Sequence, residues 1–504
     1  MMNIDEPLKS SENVSFPRGV PRKKFYVRQR YVLASLGCMG YFLISCLRNC
    51  INVTVLSMVR WNNTETNVTD AINLTIEKSK GFEWSSSQEG LFLGAYFYGY
   101  VCTNILGGWL GNKFGFPIVF GLPIFISALL SIATPFAAYT SFPLVIACRV
   151  LMGLLQGASV CAFQGCWSSW APPLERSLLN SIALSGFPFG LGFANFFAGY
   201  ICGTLGWEAV FYILGGVAIG WSVVWIIIVS DSPRTNRCIT AAEVAYIEKS
   251  IGFTSKVNLQ DMLQSQVVPW GAIMRSRSVW AIFVAHFCDN WSGYTFNAIL
   301  PTFMSKIFNF NVFQSGAVMT APYIAQVVVS ILAGFMTDAA RQRKWISTSA
   351  ARKVNTIIAQ SFLNLFMIIA CYCTDSTTVI VLFVVGMSLR GFTYAGHNSS
   401  PIDIAPMYAG VVFGISNTIA SITGFLGPLT AGLVITDKTS IGQWQTMFWI
   451  NGALGFFGSI FFACFASEVE RKWAQIKGIE TLNVFSYCSS TPPSRYPVLV
   501  YLDL

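Results

Sequence analysis

The chain has 504 residues, of which 54% are hydrophobic and only 11% charged, against roughly 25% charged in a soluble globular protein. That composition excludes a water-soluble fold of this length. The apolar residues gather in blocks of about 20, the length at which an α-helix crosses a roughly 30 Å hydrocarbon core. Lipid cannot satisfy backbone polar groups, so these blocks must be helices.

Twelve spans are predicted in chain order, at 31–58, 88–111, 117–138, 142–168, 178–203, 207–229, 278–304, 312–337, 353–374, 377–400, 408–435 and 441–466. They divide the chain into a leading segment 1–30, a six-helix half 31–229, a polar linker 230–277, a second six-helix half 278–466 and a tail 467–504. Short cytoplasmic loops retain an excess of Lys and Arg. The leading segment carries Arg18, Arg22, Lys23, Lys24, Arg28 and Arg30, the loop around 338–353 carries Arg341, Arg343, Lys344, Arg352 and Lys353, and the tail carries Arg471, Lys472 and Lys477. Both termini are therefore expected in the cytoplasm. The net charge of +9 reads as a topology signal, and no nucleic-acid partner is expected. The first apolar run starts only at Tyr31 and is long enough to span, so no cleavable signal peptide is expected. In the linker, Thr240 and Glu243 form a candidate capping box that opens a short surface helix.

The loop 59–87 then falls outside the cytoplasm, and it carries three N-x-[ST] glycosylation sequons, at Asn62, Asn67 and Asn73. The fourteen cysteines show no metal-like spacing and mostly lie within spans, where Cys acts as a small apolar residue. With two histidines, no G-x-x-x-x-G-K-[ST] phosphate loop and no soluble stretch long enough for a catalytic domain, the chain is expected to be neither an enzyme nor an ATP-driven pump. No metal and no cofactor is expected beyond a coupling Na+ or H+.

Internal repeats organise the spans. Trp207-Glu208-Ala209-Val210-Phe211-Tyr212-Ile213-Leu214-Gly215 opens span 6 and is echoed by Trp444-Gln445-Thr446-Met447-Phe448-Trp449-Ile450-Asn451-Gly452 at the start of span 12. Ser185-Gly186-Phe187 in span 5 recurs as Thr423-Gly424-Phe425 in span 11, and Gly108-x-x-x-Asn112 after span 2 matches Gly334-x-x-x-Asp338 after span 8. Six helices separate each pair. The fold class expected is therefore an all-α membrane protein of two parallel six-helix halves, the arrangement of major facilitator carriers.

Four charges fall inside spans: Arg48 on span 1, Arg149 on span 4, Asp289 on span 7 and Arg390 on span 10. Each costs roughly 2.5–3.5 kcal/mol on insertion scales and normally faces a water-filled path or a partner. His286 and His397 lie on spans 7 and 10 as well. The plainer readings are snorkelling for Arg149 and Arg48, a structural ion pair for Asp289 with Arg390, and satisfied core positions for the histidines.

Specific runs identify a family. Arg48 is followed by Asn52-Val53-Thr54; Phe97-Tyr98-Gly99-Tyr100 and Gly107-Gly108 come next, then Trp167-Ser168-Ser169-Trp170-Ala171-Pro172-Pro173-Leu174-Glu175-Arg176-Ser177. Further on stand Trp280-Ala281-Ile282, Ala285-His286-Phe287 with Asn290-Trp291, and Asp403-Ile404-Ala405-Pro406 with Tyr408-Ala409-Gly410. From about Arg30 to Trp473 the chain resembles the anion–cation symporter branch of the major facilitator superfamily. The resemblance implies that spans 1, 4, 7 and 10 line a central cavity and that Arg48 and Arg149 are substrate-associated arginines. An always-charged, forked guanidinium suits a carboxylate or phosphate. Where proton-coupled members of the branch carry two glutamates on helix 4, this chain has Met152 and Gln156; Leu93 and Asp289 replace a helix-2 histidine and a helix-7 arginine of glutamate carriers; Arg390 replaces a small residue.

The expected function is secondary transport of a small organic or inorganic anion by alternating access, in a monomer whose other partner is the lipid bilayer. The expected substrate contacts are Arg48, Arg149, Arg390, His286, Asn290 and His397, while Asp289 either pairs with Arg390 or couples a cation. One charge moved through 100 mV is worth about 2.3 kcal/mol, enough on its own for a roughly fifty-fold gradient. Two other readings stay open: a proton-coupled sialic-acid or sugar-acid exporter of lysosome type, and an anion channel or transport-silent sensor on the same scaffold. The membrane is expected to be plasma, lysosomal or vesicular. A triple Asn→Gln change at 62, 67 and 73 should make the protein migrate faster on a gel after expression in a glycosylating cell; unchanged mobility would remove this support for placing loop 59–87 outside the cytoplasm, though not the fold.

Overall fold

The structure is a computed structural model in which residues 28–59, 81–251, 268–308, 310, 312–467, 469 and 471–474 are described. Asn62, Asn67 and Asn73, and most of the tail, lie outside the described residues. Regular structure among the described residues is helical. The first half contains α1 (Gln29–Asn49, continued by Ile51–Met58), α2 (Ser86–Phe114), α3 (Phe116–Thr140), α4 (Phe142–Trp170), α5 (Arg176–Leu184 and Gly186–Thr204) and α6 (Trp207–Ile228). The second contains α7 (Arg277–Phe308), α8 (Val312–Gln342), α9 (Thr348–Ile357, a π-helical stretch Ile358–Phe362, then Leu363–Ala370), α10 (Ser376–Leu389), α11 (Ala409–Ser421 and Thr423–Val434) and α12 (Ile441–Phe465).

Local chemistry sets the helix ends. Ser85 and Gln88 form a reciprocal capping box at the start of α2, and Asp375 caps α10 by accepting from the Thr378 amide at 2.8 Å. The α2–α3 corner needs the left-handed backbone of Gly115, at φ +84°, which glycine adopts without steric cost. Ten of the twelve helices are long and apolar enough to cross a membrane on composition alone. The others, α2 and α7, are 29 and 32 residues long and carry polar side chains that meet other helices.

The sequence repeats correspond to repeated structure. Both α5 and α11 break at the matched sites, around Ser185 and Ile422. Gly108 of α2 lies against Gly410 and Val411 of α11, while Gly334 of α8 lies against Ser177 and Leu178 of α5. In each pairing small residues let helix backbones approach closely. Four residues further on, Asn112 donates to the Met407 carbonyl at 3.2 Å and Asp338 accepts from the Leu178 amide at 2.8 Å. The two halves thus meet through equivalent pairs, α2 with α11 and α8 with α5.

At the linker end these contacts become ionic. Arg176 of the first half and Arg352 of the second share Asp403, at 3.2 and 2.9 Å. Arg352 also donates to the Ser177 hydroxyl and the Ala395 carbonyl, at 2.7 and 2.6 Å, and Asp338 pairs with Arg341 at 3.1 Å. This end of the molecule is closed by the Arg176–Asp403 ion pair and the Arg352–Ser177 hydrogen bond, which cross between the halves. Arg352 and Arg341, counted above as loop charges, are buried members of this network.

The linker helix Ala241–Ile251 departs from the expected capping box. Thr240 does accept from the Glu243 amide at 3.2 Å, but the Glu243 carboxylate turns away to the start of α1. There it receives the Gln29 and Arg30 amides and the Arg30 guanidinium. The other side of Arg30 pairs with Glu175 at 2.7 Å. Burial pushes the Glu175 carboxyl up, but hydrogen bonds from Arg30, Tyr246 and Tyr31 outweigh it and hold the group below the usual carboxylate range. Its contribution is therefore present above the ordinary carboxylate pKa and lost as pH falls through the depressed one.

One predicted span needs correcting. The expected continuous helix 377–400 ends at Leu389, passes into a 3-10 turn at Arg390–Tyr394, and resumes only as the short helix Ser400–Ile404. Gly391 lies against the backbone of Gln326 and Ser330 on α8, and non-helical backbone at membrane depth is tolerated where protein buries it. Asp403→Asn removes the anion that Arg176 and Arg352 share. It should cost about 3–5 kcal/mol, the range for stranding a buried partner, read as a fall in the thermal unfolding midpoint of purified protein; an unchanged midpoint would show that the ion pairs do not hold this end shut.

Candidate functional site

α1 breaks at Asn49–Cys50, a point that frees backbone carbonyls inside the bundle. The Arg149 guanidinium of α4 occupies them, donating to Leu47 O at 3.2 Å and Arg48 O at 2.9 Å. Arg149 is 1% exposed, so its fork faces the α1 backbone. The geometry makes it a brace for the residue it touches, Arg48. Gly153 and Gly157 bring α4 against the α2 backbone at Tyr96 and Tyr100, which fixes the approach.

Arg48 itself stands in an aromatic enclosure. Its guanidinium carbon lies 4.3 Å from the ring centre of Phe97, 5.3 Å from Tyr96, 5.4 Å from Tyr294 and 5.6 Å from Tyr100. Such contacts stabilise a cation by about 0.5–2 kcal/mol each without neutralising it. Its one hydrogen bond among the described residues goes from Nη2 to the Tyr294 hydroxyl at 3.0 Å, and its Nε is buried without an acceptor. No carboxylate pairs with it among the described residues. Gln156, at a position where proton-coupled relatives were expected to hold an acid, accepts from the Tyr96 hydroxyl at 2.7 Å and so orients one wall of the enclosure.

Asp289 and Arg390 meet. Arg390 donates through Nε to Oδ1 at 3.1 Å and through Nη2 to Oδ2 at 2.9 Å, a forked pair. The Thr393 hydroxyl adds a third donor to Asp289 at 3.1 Å, and Asn290 accepts from Arg390 at 3.4 Å. Gly293 makes room for this guanidinium: a Cβ there would come within 2.6 Å of its central carbon. The next residue is Tyr294, which holds Arg48, so two guanidiniums from opposite halves abut one turn of α7.

The histidines lie deeper in the second half. His286 bonds through Nδ1 to the Ser416 hydroxyl at 2.8 Å, and its ring lies 5.6 Å from that of His397. His397 is fully buried with neither ring nitrogen hydrogen-bonded among the described residues. The expected contact residues therefore fall into two groups, Arg48 with Arg149 and Arg390 with Asp289 and Asn290, with the two histidines packed behind the second. The aromatic enclosure, Thr393 and Gly293 were not anticipated. The nearest sequence signal was the run Phe97-Tyr98-Gly99-Tyr100, of which Phe97 and Tyr100 face Arg48 while Tyr98 is exposed on another side of α2.

A bundle of twelve long helices in two equivalent halves, with buried charges between the helices and where the halves meet, is the architecture of a membrane transporter. The chain belongs to the major facilitator superfamily, whose family description it matches over residues 37–428 and 282–492. It is 36% identical over 457 residues to "Sialin" of Homo sapiens, covering 88% of this chain and 90% of that protein. It is 32% identical over 450 residues to "Vesicular glutamate transporter 3" of Danio rerio, covering 89% and 75%. Among solved structures, the proton:xylose symporter XylE bound to 6-bromo-6-deoxy-D-glucose superimposes with a TM-score of 0.61 at 14% identity, over 88% of this chain and 96% of that one; this likeness concerns the fold.

Two substitutions separate the roles of the arginines. Arg48→Lys keeps the charge and loses the fork; a charged hydrogen bond is worth about 1.5–3 kcal/mol, so apparent anion affinity in uptake assays should fall roughly ten- to hundred-fold with thermal stability unchanged. Arg149→Lys cannot bridge two carbonyls and should lower the unfolding midpoint as well as transport. Equal stability of both variants would contradict the bracing role.

Proposed function

We propose that the protein is a secondary carrier of a small organic anion, which binds between the halves with its acidic group on Arg48. The observation that carries this reading is that Arg48 is charged, enclosed and without a carboxylate partner among the described residues. A guanidinium in that setting offers its free donors to an anion, and the surrounding rings suit an organic body better than a hydrated inorganic ion. The names of the relatives, sialin and vesicular glutamate transporter, support an anionic substrate. Transport by alternating access requires the contacts that cross between the halves at the linker end, the Arg176–Asp403 ion pair and the Arg352–Ser177 hydrogen bond among them, to part as the opposite end closes. The charge placement supports cytoplasmic termini and linker, which puts the closed end on the cytoplasmic side.

Purified protein in liposomes, offered labelled sialate, glutamate, urate, nucleotide and phosphate in turn, should take up at least one organic anion saturably and show counterflow. Sodium, proton and voltage gradients imposed separately identify the driving force. Large currents that do not saturate would replace the carrier with a channel, and no flux of any anion would overturn the reading.

A further inference from the structure

The Asp289–Arg390 pair has a feature that a purely structural pair does not need. Three of the bonds Arg390 makes leave from Nη2 and one from Nε, while Nη1 has no acceptor among the described residues. The Arg390 side chain is 16% exposed and that of Asp289 only 3%. The cation therefore reaches open space and the anion does not. An incoming anion can approach Arg390 from the side that Asp289 leaves uncovered, on the same α7 turn where Tyr294 holds Arg48.

We propose that the transported anion, held on Arg48, also engages Arg390 and displaces Asp289 from it, and that Asp289 takes up a proton as it is displaced, so that one anion and one proton bind together. This rests on the anion-carrier reading above. The exchange balances: Asp289 carboxylate paired with Arg390, plus a free anion and a proton, becomes neutral Asp289 plus Arg390 paired with the anion. The driving physics is elementary. A carboxylate deprived of its guanidinium in a dry interior can no longer stay ionised at low cost, and binding a proton removes the cost. Thr393, which donates to Asp289 Oδ1 in the paired state, has a hydroxyl that can equally accept from the protonated acid.

The titratable groups around the pair are His286, Cys288 and Tyr294 on α7, Tyr394 and His397 on or just after α10, and Tyr323 on α8. Of these His397 is fully buried, with neither ring nitrogen hydrogen-bonded among the described residues. The helix-4 positions where proton-coupled relatives were expected to carry acids are Met152 and Gln156 here, and the latter is engaged with Tyr96. Proton coupling through Asp289 would stand in for them from the other half.

The test is equilibrium binding of labelled glutamate and sialate to the full-length protein in nanodiscs, between mildly acidic and neutral pH. If one proton is bound with each anion, apparent affinity rises about tenfold for each unit fall in pH while Asp289 is ionised in the free protein. Adding anion to weakly buffered protein should likewise draw one proton from solution. Asp289→Asn should abolish both effects and bind anion at neutral pH as tightly as the parent does in acid, because Arg390 no longer has a competing carboxylate. His397→Gln should keep the pH dependence and the proton uptake. Wild-type binding that is independent of pH overturns the exchange and leaves the carrier reading standing, and that measurement does not depend on whether any variant folds. Loss of proton uptake in His397→Gln with retention in Asp289→Asn places the proton elsewhere and overturns it too. Wild-type protein that binds neither anion at any pH overturns the exchange together with the reading on which it rests.

Discussion

A guanidinium taken out of water must find acceptors, because an unpaired buried charge costs several kcal/mol even after relaxation. This chain buries arginines repeatedly, and how each is satisfied organises the molecule. Arg30 ties the linker helix to α1 through Glu243 and to the start of α5 through Glu175. Arg176 and Arg352 meet across the halves on Asp403. Arg149 uses carbonyls that the α1 break leaves free, and Arg390 uses Asp289. Against that pattern Arg48 stands apart: rings on several sides, one phenol, and no carboxylate among the described residues. The site is defined by the charge that the fold leaves uncompensated.

The same constraint explains where the helices break. A continuous helix satisfies its own carbonyls and has none to offer a side chain. The breaks in α1 and α10 fall where arginines act, at Asn49–Cys50 beside Arg48 and at Arg390 itself. In α5 and α11 they fall at matched positions of the two halves, around Ser185 and Ile422, where close glycine contacts bring α5 onto α1 and α11 onto α2 and α7. Irregular backbone is confined to places where protein covers it, so regions where the helices bend and regions that can bind a charged ligand coincide.

Much of this was legible in the sequence. The lengths of the apolar runs gave the twelve helices, and the matched Gly108-x-x-x-Asn112 and Gly334-x-x-x-Asp338 patterns turned out to mark equivalent contacts between the halves. The embedded Arg48, Asp289 and Arg390 could be picked out because charge in an apolar run is costly wherever it falls. What could not be read is what those charges touch. The acceptors of Arg149 are main-chain carbonyls, which every residue has and no side chain signals. The room for Arg390 is made by Gly293, one of 42 glycines. Arg341 and Arg352, which read as loop charges, join a buried network: Arg341 pairs with Asp338 one turn earlier on α8, and Asp403 comes to Arg352 from another element. The end of α10 at Leu389 falls where Gly391 packs against the α8 backbone, a tertiary contact that no local residue signals.

The central claim is that an organic anion binds on Arg48. Its most direct test is ligand-induced thermal stabilisation of purified protein, using sialate and glutamate, compared between the parent and Arg48→Gln. Binding to the folded state alone raises its stability by an amount fixed by ligand concentration over Kd. An anion seated on Arg48 predicts a concentration-dependent rise in the unfolding midpoint of the parent and none in the variant over the same range. Equal stabilisation of both proteins would place the anion elsewhere and contradict the site.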